Sequence, residues 1–398
     1  MRPSLRALST YVAARVIPAI ASMALTFLCI DALRPEDYAS YSLTLLAAGV
    51  AAGFVGGISA QAMLRHAREL SEPALRRGLL GLPLFASALA CPLVAAYLAW
   101  QGQWSAAALI AIASIPAIAI MDTRRCLFVA GARADAVFAL DAWRAGLALL
   151  LTFVLLHLWG ARAESPLLAQ GLSVLACLML VGSRRAGLVS TGSRTIDARY
   201  VGYGVGLAGW MAVVVALSLA ERSVVAVASG LAASGRYAAQ ADVINAVFAA
   251  LGSALAQAMM PAYLAQAAAP DAAALRRLCR LALLGVLAIA GLCLVLGGAL
   301  SASGLGQVSA ALNDDLPTAL VLVAAGALWT AAGFVQKPIE LRGRTHWLFA
   351  GVALSLLLFL LIAPSLAERH GPIGVATAKL IAGLAYIGMA WLLCRVRR

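Results

Sequence analysis

The sequence predicts an all-α polytopic membrane protein. Its expected form is twelve transmembrane helices in two six-helix bundles related by a parallel pseudo-repeat, with both termini cytoplasmic. Three observations predict it. The 398 residues are 63% hydrophobic and only 12% charged, more apolar surface than a soluble domain of this size hides. The apolar residues gather in runs of about 20, the length that crosses a ~30 Å hydrocarbon core at ~1.5 Å of rise per residue. The positive charges crowd into every second break between those runs.

The predicted spans are 11–33, 39–64, 78–100, 105–121, 142–160, 166–183, 201–229, 237–260, 281–300, 316–335, 346–366 and 371–394. The N-terminus and alternate breaks hold 23 of the 30 Lys and Arg residues, in clusters such as Arg65, Arg68, Arg76 and Arg77 or Arg276, Arg277 and Arg280. The intervening breaks hold only Arg34, Arg162, Arg236 and Arg369. Short basic loops stay on the cytoplasmic side, which fixes the expected orientation. No break is long enough for a folded extramembrane domain. The first run exceeds a signal-peptide core and lacks a small-residue cleavage site, so it is expected to be a retained helix.

Along the spans, Pro18, Pro92 and Pro116 are expected to bend or loosen the first, third and fourth helices. Gly49, Gly53 and Gly57 on the second, with Gly202 and Gly206 on the seventh, form small-residue ladders suited to close helix packing. The break at 184–200 divides the chain into expected halves, 1–190 and 191–398. A gapless shift of 196 residues lays Tyr41 on Tyr237, Gly56 on Gly252, and Ala60-Gln61-Ala62-Met63 on Ala256-Gln257-Ala258-Met259. Both copies run outside to inside, so the repeat is parallel, an arrangement known among transporters.

Ionisable groups at membrane depth are costly and mark either a buried pair or a functional cavity. Arg15 lies about one turn into the first span, within reach of the headgroups by snorkelling. Glu221 and Arg222 lie about 12 Å from the outer end of the seventh span, Asp242 about 7 Å into the eighth and Lys379 about 12 Å into the twelfth, at ~1.5 Å per residue. Arg15, Arg222 and Lys379 are the candidate contacts for an anionic substrate, and Glu221 and Asp242 the candidates for ion coupling. Gln61 and Gln257, amides at matching depth in the two halves, are candidate substrate contacts or interhelical hydrogen-bond donors. The net charge of +13 also fits contact with anionic membrane lipids.

Other chemistries find no residues to carry them. Neither Lys337 nor Lys379 belongs to a phosphate-binding loop, and Gly204 to Gly209 match G-x-G-x-x-G only at the opening of a membrane helix. The seven cysteines are scattered without metal-ligand or redox spacing. No nucleophile elbow is present. The expectation is a non-enzyme with no cofactor, no metal and no nucleic-acid partner.

Three segments carry a specific resemblance. Leu33-Arg34-Pro35-Glu36-Asp37-Tyr38-Ala39-Ser40-Tyr41-Ser42-Leu43 resembles the L-x-P-x-x-F/Y-G-x-Y-x-L signature of bacterial oligosaccharide flippases, with Ala39 in place of the usual Gly. Glu221-Arg222, Gly235-Arg236-Tyr237-Ala238 and Pro261 are similar to that family's D/E-R … G-x-Y-x-A … P pattern. Arg342-Gly343-Arg344 followed by His370-Gly371-Pro372-Ile373-Gly374-Val375-Ala376 is similar to its G-R/K … G-x-x-G-A-A segment. The family belongs to the multidrug/oligosaccharidyl-lipid/polysaccharide (MOP) exporter superfamily. The resemblance implies two six-helix bundles around a cavity, and the flipping of an undecaprenyl-diphosphate-linked oligosaccharide across a bacterial inner membrane by alternating access. It assigns Arg15 and Arg222 to the diphosphate, and it implies polysaccharide polymerases and glycosyltransferases as partners. The rival reading is a cation-coupled drug or metabolite antiporter.

Overall fold

The computed structural model describes residues 5–66, 69–131, 133–182, 195–196, 198–268, 272–302, 304, 306–341 and 344–395. Among these there is no β-strand. The helices are α1 (Leu5–Ala32), α2 (Pro35–His66), α3 (Glu72–Arg76), α4 (Leu82–Trp100), α5 (Ala106–Ala130), α6 (Ala134–Trp159), α7 (Glu164–Gly182) and α8 (Ala198–Ser229). They continue as α9 (Leu231–Ala268), α10 (Ala272–Ala302), α11 (Gly306–Asp314), α12 (Leu316–Val335), α13 (Lys337–Leu341), α14 (Thr345–His370) and α15 (Pro372–Arg395). A π-helical turn, Arg77–Gly81, joins α3 to α4. Among the described residues, ten helical stretches are long and apolar enough to cross a membrane. The shorter apolar stretches Ile17–Ala32 and Glu164–Leu180 fall on the predicted first and sixth spans.

Side-chain exposure follows from that setting. Leu89, Leu93, Leu158, Met179, Leu284, Leu287, Val295 and Leu361 stand outward, while Ala, Gly and Ser fill many of the helix contacts. Lipid is as apolar as leucine, so helices associate by close packing rather than by hiding oil from water. Helices α1, α4 and α5 continue through Pro18, Pro92 and Pro116, as membrane helices do when neighbours satisfy the freed carbonyls.

The chain divides into two compact units, one of residues 1–25 with 40–216 and the other of 26–39 with 217–398. In the first, α2 packs against α5 with Gly56 on the backbone of Ala119, and against α8 with Gly57 on Ala208. Helices α5, α6 and α7 close a core of Met121, Phe128, Leu140 and Cys177. In the second, α9, α10 and α12 close a core of Met259, Tyr263, Val286 and Phe334, and α15 packs on α12 and α14.

The turns of the second unit are very short. A single residue, Gly230 at φ +85°, separates α8 from α9, and Gly371 at φ +62° separates α14 from α15. Only glycine takes these angles without strain. Each turn holds its helix ends by a backbone bond, Gly230 N–H to the Ala226 carbonyl at 3.0 Å and Gly371 N–H to the Ala367 carbonyl at 2.7 Å.

Candidate functional site: a charge network in the second unit

The tight α8–α9 hairpin folds the sequence back so that Arg222 faces the first turns of α9. Ser234 Oγ on α9 donates to the Arg222 carbonyl at 3.0 Å, tying the two helices at that level. Arg222 then reaches Asp242, one helix over. Its Nη2 donates to Oδ1 at 2.5 Å and its Nη1 to Oδ2 at 3.2 Å. The Tyr38 hydroxyl, from the first turns of α2, donates to Oδ2 of the same carboxylate at 2.8 Å.

Glu221 is rotated about 100° from Arg222 around α8, and it finds a separate set of partners. Lys379 Nζ on α15 donates to its Oε1 at 2.9 Å, and the Tyr237 hydroxyl on α9 donates to its Oε2 at 3.0 Å. Each carboxylate thus receives one cation and one phenol. Two positive and two negative charges cancel, which is what allows four ionised groups to sit at this depth.

Burial is uneven across the network. Glu221 is fully buried, and Arg222 and Lys379 are 3% and 5% exposed. The side chain of Asp242 is 27% exposed. The Glu221–Lys379 pair is therefore sealed, while the Arg222–Asp242 pair is open on its carboxylate side. Tyr38 also lines a cavity of about 120 Å³ together with Leu33, Pro35, Arg236 and Asp314. Arg236 and Asp314 make an exposed ion pair of 3.4 Å at this cavity.

The segments that resemble the flippase signatures are the ones that build this site. Pro35 and Tyr38 come from the first. From the second, Gly235 lies directly on the Pro35 carbonyl, with no room for a Cβ, and Tyr237 holds Glu221. From the third, Gly371 makes the turn that sets Lys379 eight residues along α15.

Four of the sequence-predicted residues, Glu221, Arg222, Asp242 and Lys379, therefore meet. Gln61 does not join them. It lies in the first unit on α2, partly buried, with its Nε2 3.7 Å from Met211 Sδ on α8, a weak acceptor. Arg15 lies in α1 and Gln257 in α9, but their side chains fall outside the described residues. Sequence reasoning did not name Tyr38, Tyr237 and Ser234 as site residues. The signal for the two tyrosines was present, since both are signature positions.

No protein-family model and no curated protein matches the sequence. Solved structures do match over nearly the whole chain. The structure is similar to the lipid II flippase MurJ in an inward closed conformation, with a TM-score of 0.71 at 11% identity, over 97% of this chain and 87% of that one. It is similar to an inward-facing multidrug resistance MATE family transporter of the MOP superfamily, with a TM-score of 0.65 at 14% identity, over 98% of both chains. It is also similar to a MOP superfamily transporter from Pyrococcus furiosus, with a TM-score of 0.62 at 13% identity, over 97% of this chain and 95% of that one.

The fold resembles that of these solved transporters. At these identities the likeness concerns the fold alone. Ten of the predicted spans fall on helical stretches long and apolar enough to cross a membrane, and the fifth and ninth, on α6 and α10, start earlier than the apolar runs do, at Ala134 and Ala272.

Proposed function

We propose that the protein is a flippase that moves an undecaprenyl-diphosphate-linked oligosaccharide across a bacterial cytoplasmic membrane for polysaccharide biosynthesis. The observation that carries this reading is the Arg222–Asp242 pair. Arg222 is a buried, two-pronged donor of the kind that fits phosphate oxygens. Its counter-ion is partly exposed and therefore exchangeable. A diphosphate arriving at this level replaces Asp242 on the guanidinium, and Asp242 takes the arginine back when the headgroup leaves. The network never strands a naked charge, and a diphosphate sugar needs such a charge-matched path because it cannot enter hydrocarbon unsolvated.

The sealed Glu221–Lys379 pair holds α8, α9 and α15 in register during this exchange. The two six-helix halves, 1–190 and 191–398, with both termini cytoplasmic, alternate in access, and the polyprenyl tail stays in the bilayer. Arg15, Gln61 and Gln257 are assigned to the pathway, and the glycosyltransferases and polymerase of the same polysaccharide are its partners. Similarity to a lipid II flippase within the same fold supports a lipid-linked cargo.

The second reading, a cation-coupled drug or metabolite antiporter, draws on the MATE neighbours and on the exposed carboxylate of Asp242. Deletion followed by leaflet-specific labelling of lipid-linked glycans separates the two. The flippase reading expects the glycan to stop at the inner leaflet. Normal export from a strain without a paralogue overturns it.

A further inference from the structure

A groove runs between α9 and α10 in the second unit, away from the charge network. It has a volume of about 410 Å³ and is lined by Leu255 and Ala258 on α9 and by Gly285, Ala288, Ile289 and Leu292 on α10. Ile289 is buried and forms part of its floor, beside the Val286 and Met259 core. Ala258 and Ala288 are exposed at its rim, and Leu292 is 44% exposed. The lining is wholly apolar. A void of this size facing lipid is filled, because protein and bilayer both pack densely.

Position along α10 says by what. The apolar run begins at 281, so Gly285 lies about 6 Å and Leu292 about 16 Å into the hydrocarbon at ~1.5 Å per residue. One leaflet is ~15 Å deep. The groove therefore spans the acyl region of one leaflet and stops near the midplane. By the distribution of basic residues that leaflet is the cytoplasmic one.

Arg277 is exposed and stands eleven residues before Ala288. Eleven residues are three turns and about 20°, so Arg277 lies on the same face as the groove, roughly 6 Å outside the hydrocarbon where phosphates sit. Arg280 is also exposed, but lies about 80° from Ala288 and about 140° from Gly285, against about 20° and about 80° for Arg277. Helix α10 has no acidic residue, and the one acid of α9, Asp242, lies toward the opposite end of the helix on Arg222.

We propose that this groove is a binding site for an anionic phospholipid of the inner leaflet, with one acyl chain along Gly285 and Ala288 and its phosphate on Arg277. The proposal rests on the membrane orientation and not on the transported cargo, so it stands or falls apart from the flippase reading. The site would seat a structural lipid against the second unit, toward the end of α9 remote from the short turn at Gly230.

The test is native mass spectrometry of the full-length protein in detergent, offered phosphatidylglycerol and phosphatidylcholine of equal chain length. The wild type retains one phosphatidylglycerol in preference. Arg277→Ala lowers that preference about fivefold, the effect of ~1 kcal/mol from one basic residue near an anionic surface. Arg277→Lys keeps most of it, and Arg280→Ala leaves it unchanged. Ala288→Phe, which fills the groove, abolishes retention, and Ala258→Leu repeats the result should the first fail to fold. Equal retention of both lipids, an Arg277→Ala protein like the wild type, or equal losses from Arg277→Ala and Arg280→Ala overturns the site. Preferential retention of a polyprenyl diphosphate over phosphatidylglycerol also overturns it, and gives the groove to an isoprenoid tail.

Discussion

The two units use the same tyrosine for different chemistry. A shift of 196 residues lays Tyr41 of the first unit on Tyr237 of the second, and both are buried. The Tyr41 hydroxyl accepts a 2.7 Å hydrogen bond from Gln170 Nε2, a neutral pairing. The Tyr237 hydroxyl donates to the carboxylate of Glu221. The same shift places Glu221, Arg222 and Asp242 on Leu25, Thr26 and Leu46. The first unit's tyrosine thus makes a neutral amide–phenol bond, and the second unit's joins a network of four charged side chains. The nearest analogue in the first unit, Arg125–Asp141 at 2.8 Å, keeps both side chains partly exposed near the end of α5. Of the two ion pairs, Glu221–Lys379 in the second unit is the more deeply sealed, at 0% and 7% exposed side chains against 13% and 19% for Asp141 and Arg125.

The largest expected effect follows from the sealed pair. Glu221→Ala leaves Lys379 buried without its counter-ion, at a cost of about 3–5 kcal/mol. The protein should fall to a small fraction of its normal abundance, and adding Lys379→Ala should restore most of it. Quantitative immunoblotting of membranes checks both. An abundant Glu221→Ala protein would mean that the pair is not sealed.

Gly235→Ala comes next. A Cβ there runs into the Pro35 carbonyl, and backbone offers no flexible end to give way. A cost of about 1–3 kcal/mol is expected, as for other overpacked contacts. Thermal melting of the detergent-purified protein measures it. The comparison predicts a smaller effect at Gly49 in the first unit, where a Cβ would meet a Val215 methyl at 3.8 Å.

A difference between two substitutions separates the two tyrosines directly. Tyr237→Phe removes a hydrogen bond to a buried carboxylate, about 1.5–3 kcal/mol, whereas Tyr41→Phe removes a neutral one, about 0.5–1.5 kcal/mol. Paired melting curves should show the larger shift at Tyr237. Equal shifts would erase the distinction between the units.

Much of this was legible in the sequence. Run length located ten of the apolar helices, and the rarity of charge in oil singled out Glu221, Arg222, Asp242 and Lys379. The pairing was not legible. Lys379 meets Glu221 across 158 residues of chain, and only the packing of α15 beside α8 and α9 selects that partner over Asp242. The tyrosine hydroxyls were hidden for another reason, since a tyrosine in an apolar run reads equally well as packing. The short helix α11 was missed because its nine residues, with Ser309, Asn313 and Asp314, carry too little apolar character to stand out in a break. Helix α10 was begun late because Arg276, Arg277 and Arg280 end an apolar run without ending a helix.

The central claim is that Arg222 and Asp242 form an exchangeable pair rather than a structural one. Protein abundance and glycan export, measured together in Arg222→Ala, Asp242→Ala, Arg222→Lys and the double Arg222→Ala/Asp242→Ala variant, test it most directly. The account predicts that the double variant, which leaves no uncompensated charge, accumulates like the wild type and exports nothing, while Arg222→Lys retains part of the activity because it restores charge without the two-pronged donor. A double variant that exports at the wild-type rate would contradict the account and leave the pair as a tether between α8 and α9.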